Sequence, residues 1–508
     1  MSGCVWSRKQ FWMQRAGCNE MLQDLLGSQA MAYPLKQAVR CDDVTLTYGE
    51  LYRMKEGMKR YLAEAMSLQH GDKIAFHLPN CADFIYSFFA AAEIGAVTVP
   101  LNTHFKESEL RYYAGECGIK AVITHGDLVG HWGEMPWEEG GPAFVIIDRL
   151  QLPLVDSGAS FRPCGITLSN DSEILYLCTS GSSGRPKIIP KRYALLLAGA
   201  VNLGSALEVD RDDRFLCVTP LFHANGFENS MFLPLVRGAS IVLMREFSPR
   251  KILDILAHEE ITILIGSPFI FSSLCDCADQ TYHFSSMRYC LSAGAPLPVE
   301  LKKKFSDLFG VRVREHYGAS ETGPISVQFH DIDELGSVGR PLRNVQLKIL
   351  DDRGATVAPG VVGEVFVSST SMVTGYLNEP ELSREAFRGG FFRTGDVGML
   401  DSEGNLHITG RKKAIINVSG IKIDPAEIRN VLVLHPKVRD AYVTGVRNKR
   451  GMEVVKAIIV AHPGCTARDV VTFCKERLAD FKIPRIIEFR DSIPIDAMGK
   501  VIQSLIDP

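Results

Sequence analysis

The 508-residue sequence predicts an α/β protein: a large N-terminal region of parallel α/β layers, a small antiparallel or barrel-like β unit, then a small α+β module. Three observations carry this. Short β-branched runs alternate with apolar helical patterns through most of the length, which is the signature of parallel sheet. After about residue 335 the runs are joined by turn signals instead of helices. After about 413 the pattern shifts again, to helix, two strands and helix.

The elements follow in order. KIAFHL (73–78) reads as a strand. ADFIYSFFAAAEIGAVTVPLN, from Ala82 to Asn102, is the most apolar stretch, but Glu93, Gly95 and Pro100 interrupt it. It is therefore a buried helix over 82–93, a turn at Gly95 and a strand, not a membrane span. KAVITH (120–125), FVIID (144–148), FLCVTP (215–220), SIVLM (240–244) and ITILIG (261–266) are further strands, and SPRKILDILAHEE (248–260) is a helix. VQLKILD (345–351) and GEVFVSS (363–369) flank the turn DDRG and read as a small antiparallel or barrel-like unit. IDPAEIRNVLVLHP is an amphipathic helix with Asp424 as N-cap and Pro425 in the first turn. Strands 441–446 and 455–461 and a helix over 467–481 complete the module.

Composition excludes several classes. Apolar residues are 46%, charged residues 23% and the net charge is −3, so the chain has no basic footprint of a nucleic-acid binder. Its 13 cysteines contain no CxxC spacing, which argues against a zinc ribbon or redox motif and suits a reducing cytoplasm. The first residues, MSGCVWSRKQFWMQ, lack the apolar core of a signal peptide.

The strongest local signal is ILYLCTSGSSGRPKIIPK (174–191). An apolar strand runs into Thr179, Ser180, Gly181, Ser182, Ser183 and Gly184, then Arg185-Pro186-Lys187. Small and hydroxyl residues let backbone N–H groups approach an anion, and Lys187 adds a positive charge. That chemistry suits a triphosphate, although the loop does not satisfy the Walker A pattern. Cys178 reads as a small strand residue, not a nucleophile.

With this loop the chain resembles the adenylate-forming superfamily, which includes acyl- and aryl-CoA ligases, peptide-synthetase adenylation domains and firefly luciferase. The loop is close to TSG[ST]TGxPKG, with Ser183 and Ile188 as departures. Four further blocks follow in the family's order. HYGASETGP (316–324) resembles YGxTE, FFRTGDVG (391–398) resembles RTGD, ITGRKKAIINVSG (408–420) resembles the hinge segment, and IPIDAMGKVIQ (493–503) resembles the terminal PxTxxGK. The resemblance implies an N-terminal AMP-binding domain over 1–412 and a mobile C-terminal domain over 413–508, hinged at Lys413. It implies that His316, Tyr317 and Gly318, with Gly294, Ala295 and Pro296, flank the nucleotide. Ser320 would hold the α-phosphate, Glu321 the Mg²⁺, Asp396 the ribose hydroxyls, and Arg411 the ribose or phosphate. Lys500 would enter the site for adenylation. Asp496 in place of Thr, and Ala414 in place of a common Asp, depart from the pattern.

The implied reaction has two steps. A substrate carboxylate attacks the α-phosphorus of ATP to give acyl-AMP and pyrophosphate, and a thiol then displaces AMP. Catalysis would rest on positioning and charge neutralisation, from Lys187, Lys500, Mg²⁺ on Glu321 and the loop N–H groups. VTPLFHANGFENS (218–230) resembles the PLFHxxG block of CoA ligases, which would place His223 near the carboxylate. His223 stands where amino-acid-activating relatives carry an Asp, which disfavours an α-amino acid. His223, Gly226, Phe227, Ser292, Ala293, Gly294 and Ala319 would line an acyl pocket, small and mostly apolar, suited to an aromatic or medium-chain carboxylate. NVSGIKI (417–423) resembles the CoA-dependent stretch, with Ser419, Gly420 and Lys422 along a pantetheine tunnel. Coenzyme A is thus the expected acceptor, with a carrier-protein thiol as the alternative. The protein is expected to be a cytoplasmic monomer or homodimer. Two SxxK matches, at Ser248 and Ser419, do not make a serine hydrolase, and no GxSxG occurs.

Overall fold

The structure is a computed structural model that describes residues 25–506, apart from 133–140, 151, 153–168, 180–186, 280–281, 330–335, 413–415, 419–420, 424, 448–452, 479, 496–500 and 503–504. Two large sheets organise the region before 412. The first has six strands in the order Ala143–Ile146, Ile119–Thr124, Lys73–His77, Val97–Pro100, Glu173–Thr179 and Lys187–Arg192. All neighbours are parallel except the last pair, Glu173–Thr179 with Lys187–Arg192.

The second sheet has a parallel centre. Gln37–Cys41, Ser240–Leu243, Arg214–Cys217, Ile263–Gly266, Tyr289–Ser292 and Val313–Ala319 lie side by side in that order. Beyond Val313–Ala319 the path becomes antiparallel through Gly323–Val327, Ser337–Pro341, Leu406–Arg411, Phe391–Leu400, Gly363–Ser369 and Val345–Leu350. The small β unit expected after 335 is thus antiparallel throughout and continuous, strand to strand, with the parallel sheet. Its turn at 351–354 forms because Asp351 Oδ1 accepts from the amides of Arg353 and Ala355, both at 2.9 Å.

The helix Ala82–Glu93, the turn at Gly95 (φ +77°) and the strand Val97–Pro100 fall where the apolar run and its interruptions place them. Eleven of the helix's twelve residues are buried because it lies in the inner layer shared by both sheets. Strand alternation splits each sheet between two layers. Ile74 and Phe76 face that inner core while Ala75 faces another, and Phe215 and Cys217 face it while Leu216 does not.

The C-terminal module has its own core, built from Ile416, Ile423, Ile428, Leu432, Val443, Ile459 and Val470 among others. Val438–Arg447 and Glu453–Ala461 pair antiparallel, and Ile486–Phe489 adds a parallel strand. The helix expected over 467–481 spans Ala467–Lys475, started by a capping box between Thr466 and Asp469. Past its end the chain keeps one more turn, in which the amides of Arg477 and Leu478 both donate to the Cys474 carbonyl. Among the described residues no helix is long and apolar enough to cross a membrane.

Candidate active site

The loop segment begins and ends on a hairpin. Thr179 pairs with Lys187 in register, and the Thr179 hydroxyl lies 3.4 Å from the Lys187 carbonyl. Both loop ends are therefore fixed by a half-buried antiparallel pair, unlike the strand-to-helix exit of a P-loop. Ser180, Gly181, Ser182, Ser183 and Gly184 lie outside the described residues, as do Lys413, Ser419, Gly420 and Lys500 and the side chain of Lys422.

Strand Val313–Ala319 separates two polar groups by its period of two. His316 points to one side and is buried. Its Nδ1 lies 3.1 Å from the Ser326 carbonyl, and its Nε2 lies 3.4 Å from Asn229 Nδ2. A carbonyl can only accept, so Nδ1 carries the proton and Nε2 accepts from Asn229. Burial lowers the His316 pKa to about 4, so the ring is neutral at physiological pH. Tyr317, the next residue, donates its hydroxyl to Asp396 Oδ2 at 2.5 Å. Burial, and then Asp396, push the phenol's pKa far above its ordinary value, so it stays a donor. Arg411 Nε donates to the other Asp396 oxygen at 2.8 Å, and Asp396 pairs with Arg411 across adjacent strands. The Asp396 carboxylate is thereby held between a phenol and a guanidinium.

The turn after this strand carries Ser320 and Glu321, closed by the Thr322 amide on the Ala319 carbonyl at 3.1 Å. Glu321 Oε1 accepts from the Tyr376 hydroxyl at 2.9 Å. Lys187 Nζ lies 3.4 Å from the same hydroxyl and 4.6 Å above the Tyr376 ring. Lys187, Tyr376 and Glu321 thus form one chain of contacts. Tyr376 was not singled out by the sequence, where it is an unmarked residue in a loop. A half-buried carboxylate that, among the described residues, is hydrogen-bonded through one oxygen only fits Mg²⁺, which is held by one or two carboxylates together with substrate phosphates. The next strand end, Gly294–Pro296, is exposed like Gly318, and Gly294 (φ +89°) has open space where a Cβ would stand.

The PLFH segment enters a helix at once. The Phe227 amide bonds the His223 carbonyl at 2.9 Å, and Asn225–Phe232 is wound wide, with the Leu233 amide reaching back to Glu228. Pro234 cannot donate to Ser230, which favours that widening. Gly226 is required by close packing, since a Cβ there would stand 2.3 Å from the Pro220 carbonyl oxygen. Phe227, expected in the acyl pocket, has a fully buried ring packed edge-on against Phe84 and Phe88 in the core between the sheets. Ser292 is buried with no hydrogen-bond partner for its hydroxyl among the described residues, Ala293 is buried, and His223 and Ala319 are half-buried.

The sequence model described as "AMP-binding enzyme" matches residues 26–377, and "AMP-binding enzyme C-terminal domain" matches 427–500. The chain belongs to the AMP-binding enzyme family. A feruloyl-CoA synthase of Amycolatopsis sp is 30% identical over 485 residues, covering 94% of this chain and 96% of that protein. ATP-bound MatB from Rhodopseudomonas palustris is 27% identical with a TM-score of 0.86, over 95% of this chain and 98% of that one. O-succinylbenzoate coenzyme A synthetase from Bacillus subtilis, in complex with ATP and magnesium ion, is 27% identical with a TM-score of 0.84, over 95% and 99%. The chain stands with the acyl- and aryl-CoA ligase branch of AMP-binding enzymes.

Two other groups of this AMP-binding enzyme have plain readings. Cys178 is held as a thiol, since its contact with Cys117 and its burial both raise its pKa. Cys81, Asp83 and His125 bring ligand-type atoms within 4.8 Å of one another. Arg245 lies 3.2 Å from His125 Nδ1 and can only donate, so the ring proton sits on Nε2, which faces Asp83 and Cys81.

Proposed function

We propose that the protein is an ATP-dependent acid–thiol ligase that activates a carboxylic acid as acyl-AMP and transfers the acyl group to coenzyme A. The observation that carries this reading is the pairing of two polar chains beside one strand, Lys187–Tyr376–Glu321 and Tyr317–Asp396–Arg411. The first offers an ammonium and a carboxylate to a metal-bound triphosphate. The second offers a fixed carboxylate to a ribose.

In this reading Lys187 and the 179–184 loop neutralise charge on the transferring phosphate, and Ser320 donates to the α-phosphate. Bound Mg²⁺ would supply positive charge across the phosphates, held by Glu321. Asp396 accepts from the ribose hydroxyls, and Arg411 steadies Asp396. His316 is neutral and fixes the side of the strand opposite Tyr317. His223 stands at the acyl end of the site. Lys500 completes the charge for adenylation, and Ser419, Gly420 and Lys422 line the path of the thiol.

The chain divides at 412/413. Lys412 is tied to Glu364 at 2.9 Å and Asp352 at 3.3 Å, while Ile416 belongs to the C-terminal core, which supports a hinge at Lys413 between them. Relatives named for feruloyl and 2-succinylbenzoate substrates support an aromatic carboxylate, and relatives named as long-chain-fatty-acid ligases keep fatty acids beside it in the test. Pyrophosphate release against a panel of aryl and fatty carboxylates, with and without CoA, tests the reading. Release with an aryl acid and formation of acyl-CoA are expected. Release without acyl-CoA would shift the acceptor to a carrier-protein thiol, and no release with any acid would overturn the reading.

A further inference from the structure

A chain of hydrogen bonds runs from strand Gly323–Val327 through His316 to the start of the helix Asn225–Phe232. It begins at the Ser326 carbonyl, which can only accept, so His316 Nδ1 donates there at 3.1 Å and Nε2 is left as an acceptor. Asn229 must therefore turn its NH2 edge to His316, at 3.4 Å. The same nitrogen donates its other hydrogen to Asn225 Oδ1 at 3.0 Å. The opposite orientation of Asn225 would set two NH2 groups against each other. One backbone carbonyl thus dictates the polarity of three side chains, and the far end of the chain is the Asn225 NH2 group.

That end is unpaired. Asn225 Nδ2 is buried from solvent and has no hydrogen-bond partner among the described residues. A buried donor in that state bears the full cost of its lost hydration. Its place in the helix matters as well. His223, Ala224 and Asn225 are half-buried, whereas every residue over 226–232 is buried. The helix is therefore open only at the end that bears His223, and Asn225 stands there. At the other end of the chain His316 neighbours Tyr317, whose hydroxyl holds Asp396. The three side chains thus tie the helix of His223 to the strand of Tyr317.

We propose that Asn225 is a specificity-determining residue that donates a hydrogen bond to an oxygen of the acyl group, so that the protein selects carboxylic acids carrying an ether, methoxy or keto oxygen over their hydrocarbon counterparts. This rests on the assignment of His223 to the acyl end of an acid–thiol ligase. His316 and Asn229 are positioning residues, which hold the Asn225 amide so that it presents its NH2 group and not its oxygen. A hydrocarbon acid in the same space leaves the donor buried and unpaired, whereas an oxygen pairs it. A site built in this way rejects the analogue that lacks the polar group.

Pyrophosphate release by the full-length protein reads this with pairs of acids that differ by one ether oxygen for one methylene. The pairs are methoxybenzoates against ethylbenzoates at each ring position, and oxa-acids against fatty acids of equal length. Wild type should favour the oxygen member of at least one pair by roughly tenfold in kcat/KM, the scale of one buried donor left unpaired. Asn225→Leu should bring that ratio to about one while the hydrocarbon member is still turned over. Asn229→Leu, which lets the Asn225 amide rotate, should also shrink the ratio and should raise turnover of the hydroxymethyl isomer of the methoxy acid, whose proton then finds an acceptor. No preference for oxygen at any position in wild type, or a preference that survives in Asn225→Leu, would overturn the proposal. So would equal loss of both members of the pair in an Asn225→Leu protein that still unfolds cooperatively in urea. Absence of pyrophosphate release by wild type with any acid would instead remove the ligase reading on which the proposal stands.

Discussion

Lys191 and Glu228 face each other 3.2 Å apart with both side chains almost wholly buried, yet without the alignment of a hydrogen bond. Lys191 lies four residues beyond Lys187 on the same strand, and Glu228 five residues beyond His223 on the widely wound helix. A Cβ on Gly323, two residues past Glu321, would stand 3.8 Å from Glu228 Oε2. The pair thus joins three elements from behind the candidate site.

A buried pair is weak evidence of net stability, but breaking it leaves one uncompensated charge. Lys191→Met alone should cost about 3–5 kcal/mol of unfolding free energy, and Lys191→Met with Glu228→Leu should recover most of it. Urea titration of the two variants decides this; equal losses in both would show that packing, not charge, sets the effect. Burial, opposed by Lys191, raises the Glu228 pKa above its ordinary value. The unfolded chain then releases this proton first, so the group's contribution falls as pH rises from the ordinary carboxylate range through the raised value. Glu228→Gln should flatten that part of the stability curve relative to wild type.

Asp396 makes a second test. Its two oxygens are committed to Tyr317 and Arg411, which fixes the carboxylate plane. Asp396→Asn replaces one acceptor with an amide that opposes Arg411. KM for ATP should rise roughly 10–100-fold, while the preference for ATP over 2′-deoxy-ATP narrows. Pyrophosphate release measured with both nucleotides checks this. An unchanged ratio would separate Asp396 from the ribose.

How much of this was legible depends on the range of the forces involved. Helix Ala82–Glu93 and its turn could be read because an apolar run and one glycine are local signals. Strand Gly363–Ser369 likewise begins and ends where its residues do. Tyr376 could not be read, because its role depends on contacts with residues 189 and 55 positions away. Lys191 and Glu228 look like surface charges in sequence, and only the fold makes them partners. The packing of Phe227 could not be read either, because the rings of Phe84 and Phe88 that meet it are remote in sequence.

Gly226 separates packing from substrate contact. Gly226→Ala sets a methyl 2.3 Å from the Pro220 oxygen and 2.7 Å from that of Thr219, both backbone atoms that cannot yield cheaply. A loss of about 2 kcal/mol or more in urea unfolding is expected, of the size seen for overpacking. A variant as stable as wild type, with altered choice of acid alone, would place Gly226 at the substrate instead.

Lys500 offers the sharpest separation of the two half-reactions, because a residue that neutralises the transferring phosphate is needed only while pyrophosphate leaves. Thiolysis of a preformed acyl-adenylate develops its charge on the carbonyl oxygen and on AMP as it departs, a different place in the site. Lys500→Ala should therefore lower adenylate formation by about 100-fold or more, in line with the loss of one electrostatic donor at a transition state. Conversion of supplied acyl-AMP and CoA to acyl-CoA should stay within a few-fold of wild type. The same variant read in both assays gives the answer: equal loss in each would mean that Lys500 serves the fold of the C-terminal module or the thiol path, and not the adenylation step.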